Sequence, residues 1–476
     1  MPSLRKVQVG KRPEGWKMIQ RPTGVCRFTK VTLALVGVFG CGFAPPVERY
    51  DLAIAGVTLI DGNGGPPRQD VSVYVRDGRI AAVADARQQR TAETVVDGAG
   101  KYLVPGLIDA HAHPFPVEES FPEFVRHGVT SILIPGCSVC SPENLARARA
   151  LSTSGELAAP RVFHTSQHFT MEGRHPVKTY PSPDWVEGRT VYFLREQGDA
   201  AGAVEAVADQ PIVGIKLTIE DGPVPPLVEM IPVERVREVV EAAHERGLEV
   251  FAHVSSVKGL RVAEAGGVDH LLHFVGLDID WARDAAMIDR LRQRDPSWVT
   301  TLMVDKALLY PLHPQWLEAL EASGVADADE ILRLQASRSA GRSLEVLEQL
   351  YPGRRPTLEG ILGPQVEDLR GLHDRGFSLV VGTDTANRFI FPGRSVHEEM
   401  EILALGFEPS EILPMATRNA AAMLGALDEL GTLEVGKRAD MVLLEADPLE
   451  DIRNVRRIGG VWRDGQLLFA AESSRP

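Results

Sequence analysis

The chain has little cysteine, no excess of basic charge and no long hydrophobic run. Lysine and arginine number 51 against 65 aspartates and glutamates, a net charge of -14 over 476 residues. Neutralising phosphates needs clustered Lys and Arg, so this balance argues against a nucleic-acid or anionic-membrane partner. The apolar stretch at residues 31–39 is too short to span a bilayer. Preceded by Arg21, Arg27 and Lys30, it reads instead as the core of an export signal, with Met18 as an alternative start. Cysteine occurs at 26, 41, 137 and 140, and the first two fall in that segment or at its end. Cys137 and Cys140 lack the neighbouring ligands a zinc site needs, which leaves a disulfide or two free thiols. Neither low-complexity segments nor repeats longer than a strand and a helix occur.

Length alone allows about three domains, but a (β/α)8 barrel takes about 250 residues as one unit, so two are expected. Residues 50–104 read as short strands with hairpin signals such as Asp77-Gly78, and residues 425–476 repeat that texture around Asp464-Gly465. Two β-rich ends around a βα middle predict a small β-sandwich assembled from both termini, flanking a TIM-like (β/α)8 barrel at residues 105–424. Residues 232–247 show the helical signature: Val233, Val236, Val239, Val240 and Ala243 share one face, with proline at the start and glycine past the end. Barrel strands are expected at residues 103–113, 129–134, 161–165, 213–217, 249–253, 269–273, 298–303 and 378–384. Residues 316–376 read as a mostly helical insertion that shapes the pocket.

His111 and His113 stand two apart at the end of an apolar run. Residues i and i+2 of a strand point to the same face, so both imidazoles can reach one metal ion. Taken alone, the pair is equally an ordinary polar turn. Four later strand-like segments weigh against that reading: Lys216 lies inside Val213-Gly-Ile-Lys-Leu, and His253, His273 and Asp384 each end an apolar run. In a parallel barrel such ends converge on the face where active sites lie. Each residue also has an ordinary explanation, a core-edge histidine, a snorkelling lysine or a helix-capping aspartate, but six together point to a site.

The stretch Val104-Pro-Gly-Leu-Ile-Asp-Ala-His-Ala-His-Pro, with Ala416-Thr-Arg-Asn-Ala-Ala, Gly431-Thr-Leu-Glu-Val-Gly-Lys-Arg-Ala-Asp-Met-Val and Val461-Trp-Arg-Asp-Gly, resembles the amidohydrolase superfamily of metal-dependent hydrolases. Within it the chain is most similar to imidazolonepropionase-like proteins and to Xaa-Pro dipeptidases with a lysine on strand four. The resemblance implies the barrel and terminal β-sandwich, and two divalent metals, expected to be zinc. It implies that His111, His113 and Asp384 hold one ion and His253 and His273 the other, with Lys216 carbamylated by carbon dioxide between them. A Lys216 that snorkels to the barrel mouth beside a single metal is the alternative. A hydroxide bridging the metals would attack the carbonyl, with Asp384 as acid-base residue.

His175, in Glu172-Gly-Arg-His, occupies a loop where related proteins carry a histidine; it is either a carbonyl-polarising group or an exposed loop residue. His270 is expected to face away from the site, and His164, His168 and His244 have no strand-end position. The expected activity is hydrolysis of an amide C–N bond in a dipeptide or N-acyl amino acid. Arg174, Arg388 and Arg394 are positional candidates for a substrate carboxylate, while Thr218-Ile-Glu-Asp-Gly departs from the prolidase pattern. Alternatives are a lactone or cyclic-amide hydrolase, and an inactive binding protein. The segment Val38-Phe39-Gly40-Cys41 resembles a bacterial lipoprotein cleavage site, implying a periplasmic protein anchored by lipid on Cys41; simple secretion is the alternative, since Phe39 is unusual there. Small molecules are the expected partners, and a homo-oligomer is compatible with the sequence.

Overall fold

The computed structural model describes residues 49–471 apart from 89, 275–278, 325 and 327. The export segment with Cys26 and Cys41 lies outside the described residues. Five strands open the fold: β1 (Tyr50–Leu59), β2 (Arg68–Arg76), β3 (Arg79–Asp85), β4 (Ala92–Asp97) and β5 (Tyr102–Pro105). Ten follow in the middle: β6 (Leu107–Asp109), β7 (Val129–Ile134), β8 (Arg161–His164), β9 (His168–Thr170), β10 (Val191–Phe193), β11 (Gly214–Thr218), β12 (Glu249–His253), β13 (His270–Leu272), β14 (Ser297–Val299) and β15 (Ser378–Val380). The last are β16 (Met441–Leu444), β17 (Ile458–Arg463) and β18 (Gln466–Ala470).

Strands from both termini share one eight-stranded mixed sheet, ordered β18-β17-β16-β5-β1-β2-β3 with β4 also on β1. The junction is β5 against β16, antiparallel from Tyr102–Leu444 to Pro105–Met441. Period-two burial in β3 supplies Ile80 to a core with Ile54, Val73, Leu103, Met441 and Trp462.

The middle strands are all parallel, in a three-stranded sheet β6-β7-β8 and a seven-stranded sheet β10-β9-β11-β12-β13-β14-β15. Val213 N–H donates to His164 O at 3.0 Å and Ser166 N–H to Gly214 O at 2.9 Å, tying the end of β8 to β11. On the other side Ala110 N–H donates to Val381 O at 3.1 Å, and Ala112 bridges Thr385 in parallel. These strands are buried on both faces and therefore read as continuous apolar runs, as in Val129–Ile134 where all six residues are buried. Helix Val233–His244 covers them with buried Val236, Val239, Val240 and Ala243. Helices Pro314–Ala322, Ala328–Ser337, Ala340–Leu350 and Leu358–Asp374 fill the span between β14 and β15.

Three expectations change. The run at residues 103–113 is two strands, because Gly106 N–H donates to Asp440 O while Leu107 N–H donates to Gly128 O, and the chain switches sheets between them. The strand expected at residues 298–303 ends at Val299 and gives way to helix Met303–Leu309. Strands β9 and β10 were not anticipated, since three residues are too few to display a period. Cys137 and Cys140 are joined by a disulfide. No described helix is long and apolar enough to cross a membrane.

Candidate active site

The His-Ala-His segment lies just beyond β6 rather than within it, and hydrogen bonds to both sides keep it extended. Ala112 N–H donates to Leu133 O at 2.9 Å, and Asp384 N–H donates to His111 O at 2.8 Å. Beneath it the buried Asp109 carboxylate accepts from His111 N–H at 3.2 Å, Thr383 N–H at 3.0 Å and Thr383 Oγ1 at 2.6 Å, clamping the two ligand-bearing segments together. Burial still raises the Asp109 pKa to about 7. Gly382 permits the close approach: a Cβ there would lie 2.4 Å from Val299 Cγ1 and 3.0 Å from the His111 nitrogen. The outcome is a shared contact, with Asp384 Oδ1 3.3 Å from His111 Nε2 and 3.1 Å from His113 Nε2.

Lys216 is wholly buried on β11, and that burial pulls its pKa down to about 7 against the opposing charges of Asp384 and Glu220. Strand alternation sends Lys216, Thr218 and Glu220 to one face. Glu220 is buried, its pKa raised by desolvation, and its carboxylate hydrogen-bonds His253 Nε2 and lies 3.5 Å from His175 Nε2. His253 and His273 stand with ring centres 4.1 Å apart, and His273 lies 4.4 Å from His111. Burial drives the pKa values of His111, His253 and His273 well below the ordinary imidazole range, leaving the rings neutral, the form that binds metal. His273 (φ 80°) and Asp384 (φ 64°) both adopt the left-handed backbone, an uncommon and costly conformation that concentrates at functional sites.

All six residues expected as ligands, together with His175, line one cavity of about 220 Å3. His175 is buried rather than exposed; its Nδ1 is 2.6 Å from Thr179 Oγ1, and burial lowers its pKa to about 4. His168, which had no strand-end position to recommend it, also lines this cavity because it begins the unanticipated β9. Both its ring nitrogens are engaged, by Thr218 Oγ1 at 3.1 Å and Gly136 O at 2.9 Å. His270 turns away, packed at a tilt against Phe251 and bonded to Glu249 at 2.9 Å; His244 pairs with Asp269, and His164 Nδ1 donates to Thr165 O. Glu220 does not close an apolar run and so carries no strand-end signal, although the alternation Lys216, Thr218, Glu220 points to it.

The donor set fits divalent metal. Two triplets, His111 with His113 and Asp384, and His175 with Glu220 and His253, each bring their ligand atoms within 4.8 Å of one another. His273 Nε2 is buried with no hydrogen-bond partner, while Thr301 Oγ1 fixes its Nδ1 at 3.1 Å. Such an outer hydrogen bond sets tautomer and orientation in metal-binding histidines. A third triplet, His113 with Cys137 and Cys140, has no thiolate to offer because the cysteines are bonded to each other.

The amidohydrolase family profile matches residues 102–468. The chain belongs to the amidohydrolase family. An imidazolonepropionase from Deinococcus deserti is 26% identical to this amidohydrolase over 457 residues, covering 89% of the chain and 96% of the relative. An N-acyl-D-aspartate deacylase from Alcaligenes xylosoxydans xylosoxydans is 36% identical over 118 residues, 24% of this chain; the chain spans 23% of that deacylase's length. The crystal structure of a putative prolidase from Bifidobacterium longum superposes with a TM-score of 0.64 at 26% identity, covering 89% of this chain and 95% of the other. These matches agree with a TIM-barrel-like α/β fold.

Proposed function

We propose that this amidohydrolase hydrolyses an amide C–N bond in a dipeptide or N-acyl amino acid, using divalent metal. The observation that carries the reading is the convergence of His111, His113, Lys216, His253, His273 and Asp384 on one cavity. In this reading His111, His113 and Asp384 hold one ion and His253 and His273 the second. Lys216 would complete the ligand set as a carbamate, formed when its neutral amine adds to carbon dioxide and loses a proton. The ions, expected to be zinc because neutral imidazoles dominate the donor set, would supply Lewis acidity toward the amide carbonyl and water.

The chain's own groups complete the reaction. Asn387 Nδ2 donates to Asp384 Oδ2 at 2.6 Å, orienting the carboxylate that takes a proton from water and returns it to the leaving amine. In the same reading His175 would polarise the substrate carbonyl, and Glu220, beside both rings, would orient His175 and His253. The imidazolonepropionase, deacylase and prolidase likenesses support C–N chemistry. The hydrogen bonds linking the two parallel sheets at both sides support a (β/α)8 barrel, with the terminal sheet as the small β-sandwich. Export with lipid on Cys41 belongs to the same reading, supported by the N-terminal pattern and by a disulfide suited to an oxidising compartment. Recovery of unlipidated wild-type protein from the soluble periplasm would refute the anchor.

The test of function is a panel of dipeptides, N-acyl amino acids, cyclic amides and lactones against metal-loaded protein. Turnover of linear amides is expected. Preference for lactones or cyclic amides would move the assignment to that bond, and absence of all turnover with metal bound would favour a binding protein.

A further inference from the structure

Adjoining the metal-facing cavity is a larger one of about 680 Å3, lined by His253, His273 and Asp384 together with Arg338 and Arg388. Arg388 follows Asp384 by four residues on the loop after β15, and Arg338 sits between helices Ala328–Ser337 and Ala340–Leu350.

The carboxylates lining this space are committed elsewhere. Asp221 accepts from Lys258 Nζ at 2.8 Å, and Asp305 accepts from Gln365 Nε2 at 2.7 Å and from the Tyr351 hydroxyl. Glu220 is bonded to His253, and Asp384 to Asn387. Among the described residues neither Arg338 nor Arg388 has a carboxylate partner. Arg338 is half-buried, and desolvation together with the charge of Arg388 lowers its proton affinity. Two guanidinium groups close enough to repel each other, unpaired and facing a cavity, are stabilised by an anion that enters it.

The other candidate cations are occupied. Arg174 is paired with Glu229, and Arg394 lies 2.8 Å from Glu398. Arg342, lining the same cavity, is 3.0 Å from Glu345.

We propose that Arg338 and Arg388 form a carboxylate-recognition subsite that selects substrates bearing an anionic group on the leaving-amine side of the scissile bond. The inference rests on the C–N hydrolase reading for where that bond lies. An α-amino acid leaving group carries its carboxylate two bonds from the amide nitrogen, on the side away from the metal-facing floor. The guanidinium fork matches that planar group bidentately.

The probe is a ketomethylene analogue of an N-acylglycine, in which CH2 replaces the scissile N–H, titrated calorimetrically into metal-loaded protein beside its neutral carboxamide. The acid should bind about ten- to a hundredfold more tightly than the carboxamide, as expected for hydrogen bonds to a charged group. Arg388→Gln, an exposed position where folding is not at risk, and Arg338→Gln should each remove most of that preference and leave carboxamide affinity within about twofold. Equal affinity of acid and carboxamide in the wild type, or full preference retained in the double variant, would overturn the subsite. If the preference is present but no N-acyl amino acid is hydrolysed, the subsite stands and the amide reading fails.

Discussion

The two walls of the cavity are built differently. The metal-facing wall consists of side chains at strand ends, held by backbone hydrogen bonds such as Asp384 N–H to His111 O and by the buried Asp109 clamp. Arg338 and Arg388 line the adjoining larger cavity from a helix junction and a loop. Metal ligands need placement within fractions of an ångström, which strands provide; substrate discrimination tolerates looser loops and varies with them.

Breaking the floor should have the largest effect. Lys216→Ala is expected to lose one of two metals and nearly all turnover, with partial rescue by formate or acetate; Lys216→Arg should not be rescued. Metal analysis alongside turnover decides it, and two metals with wild-type rates in Lys216→Ala would remove the carbamate from the account. Asp384→Asn should keep the fold and much of the metal but lower kcat by about two orders of magnitude or more, the loss expected of a missing proton carrier. Near-normal kcat would shift that role to another acid. Glu220→Gln, which replaces the carboxylate beside His253 and His175 with an amide, should cost about tenfold or more in turnover or metal affinity. No change in either would mean the Glu220 contacts do not matter in the loaded enzyme.

Acid should sharpen the contrast between floor and wall. The buried His175 and the distant, half-buried His127 have folded pKa values of about 4 against 6.5 for the free side chain, both lowered by desolvation. Because the unfolded chain binds more protons between those values, stability is fully present above about 6.5 and falls as pH drops toward 4. Metal affinity should fall in the same range, since the ligands must be unprotonated. Thermal unfolding of metal-free and metal-loaded protein at pH 7.5, 6 and 5 should therefore show the loaded form losing its advantage as well. A flat profile would contradict the buried neutral histidines. The smallest effect is expected from Arg342→Gln, because that cation is already paired with Glu345; carboxylate preference should change by less than about twofold.

What could be read in advance follows the same division. Strand ends announce themselves, because an apolar run closing on His253, His273 or Asp384 combines burial with a polar terminus in consecutive residues. The parallel strands and the pairing of both termini in one sheet were legible for the same reason. Glu220 was missed because its strand stops at Thr218, although the period-two alternation continues to it. His168 escaped because a three-residue strand shows no period, and Arg338 because nothing local distinguishes a cavity-facing arginine from a solvated one on a helical insertion. Arg174 and Arg394 were equally good by position, and their acidic partners Glu229 and Glu398 became visible only in three dimensions.

The central claim is that the strand-end cluster acts through divalent metal, and the most direct measurement is turnover as a function of metal content. Protein stripped by a chelator and dialysed should hydrolyse none of the dipeptide and N-acyl amino acid panel, and titration with zinc should restore activity in proportion to bound metal, up to two ions per chain. Saturation at one ion with full activity would replace the binuclear account with a mononuclear one. Full turnover by the metal-free protein would contradict the claim outright.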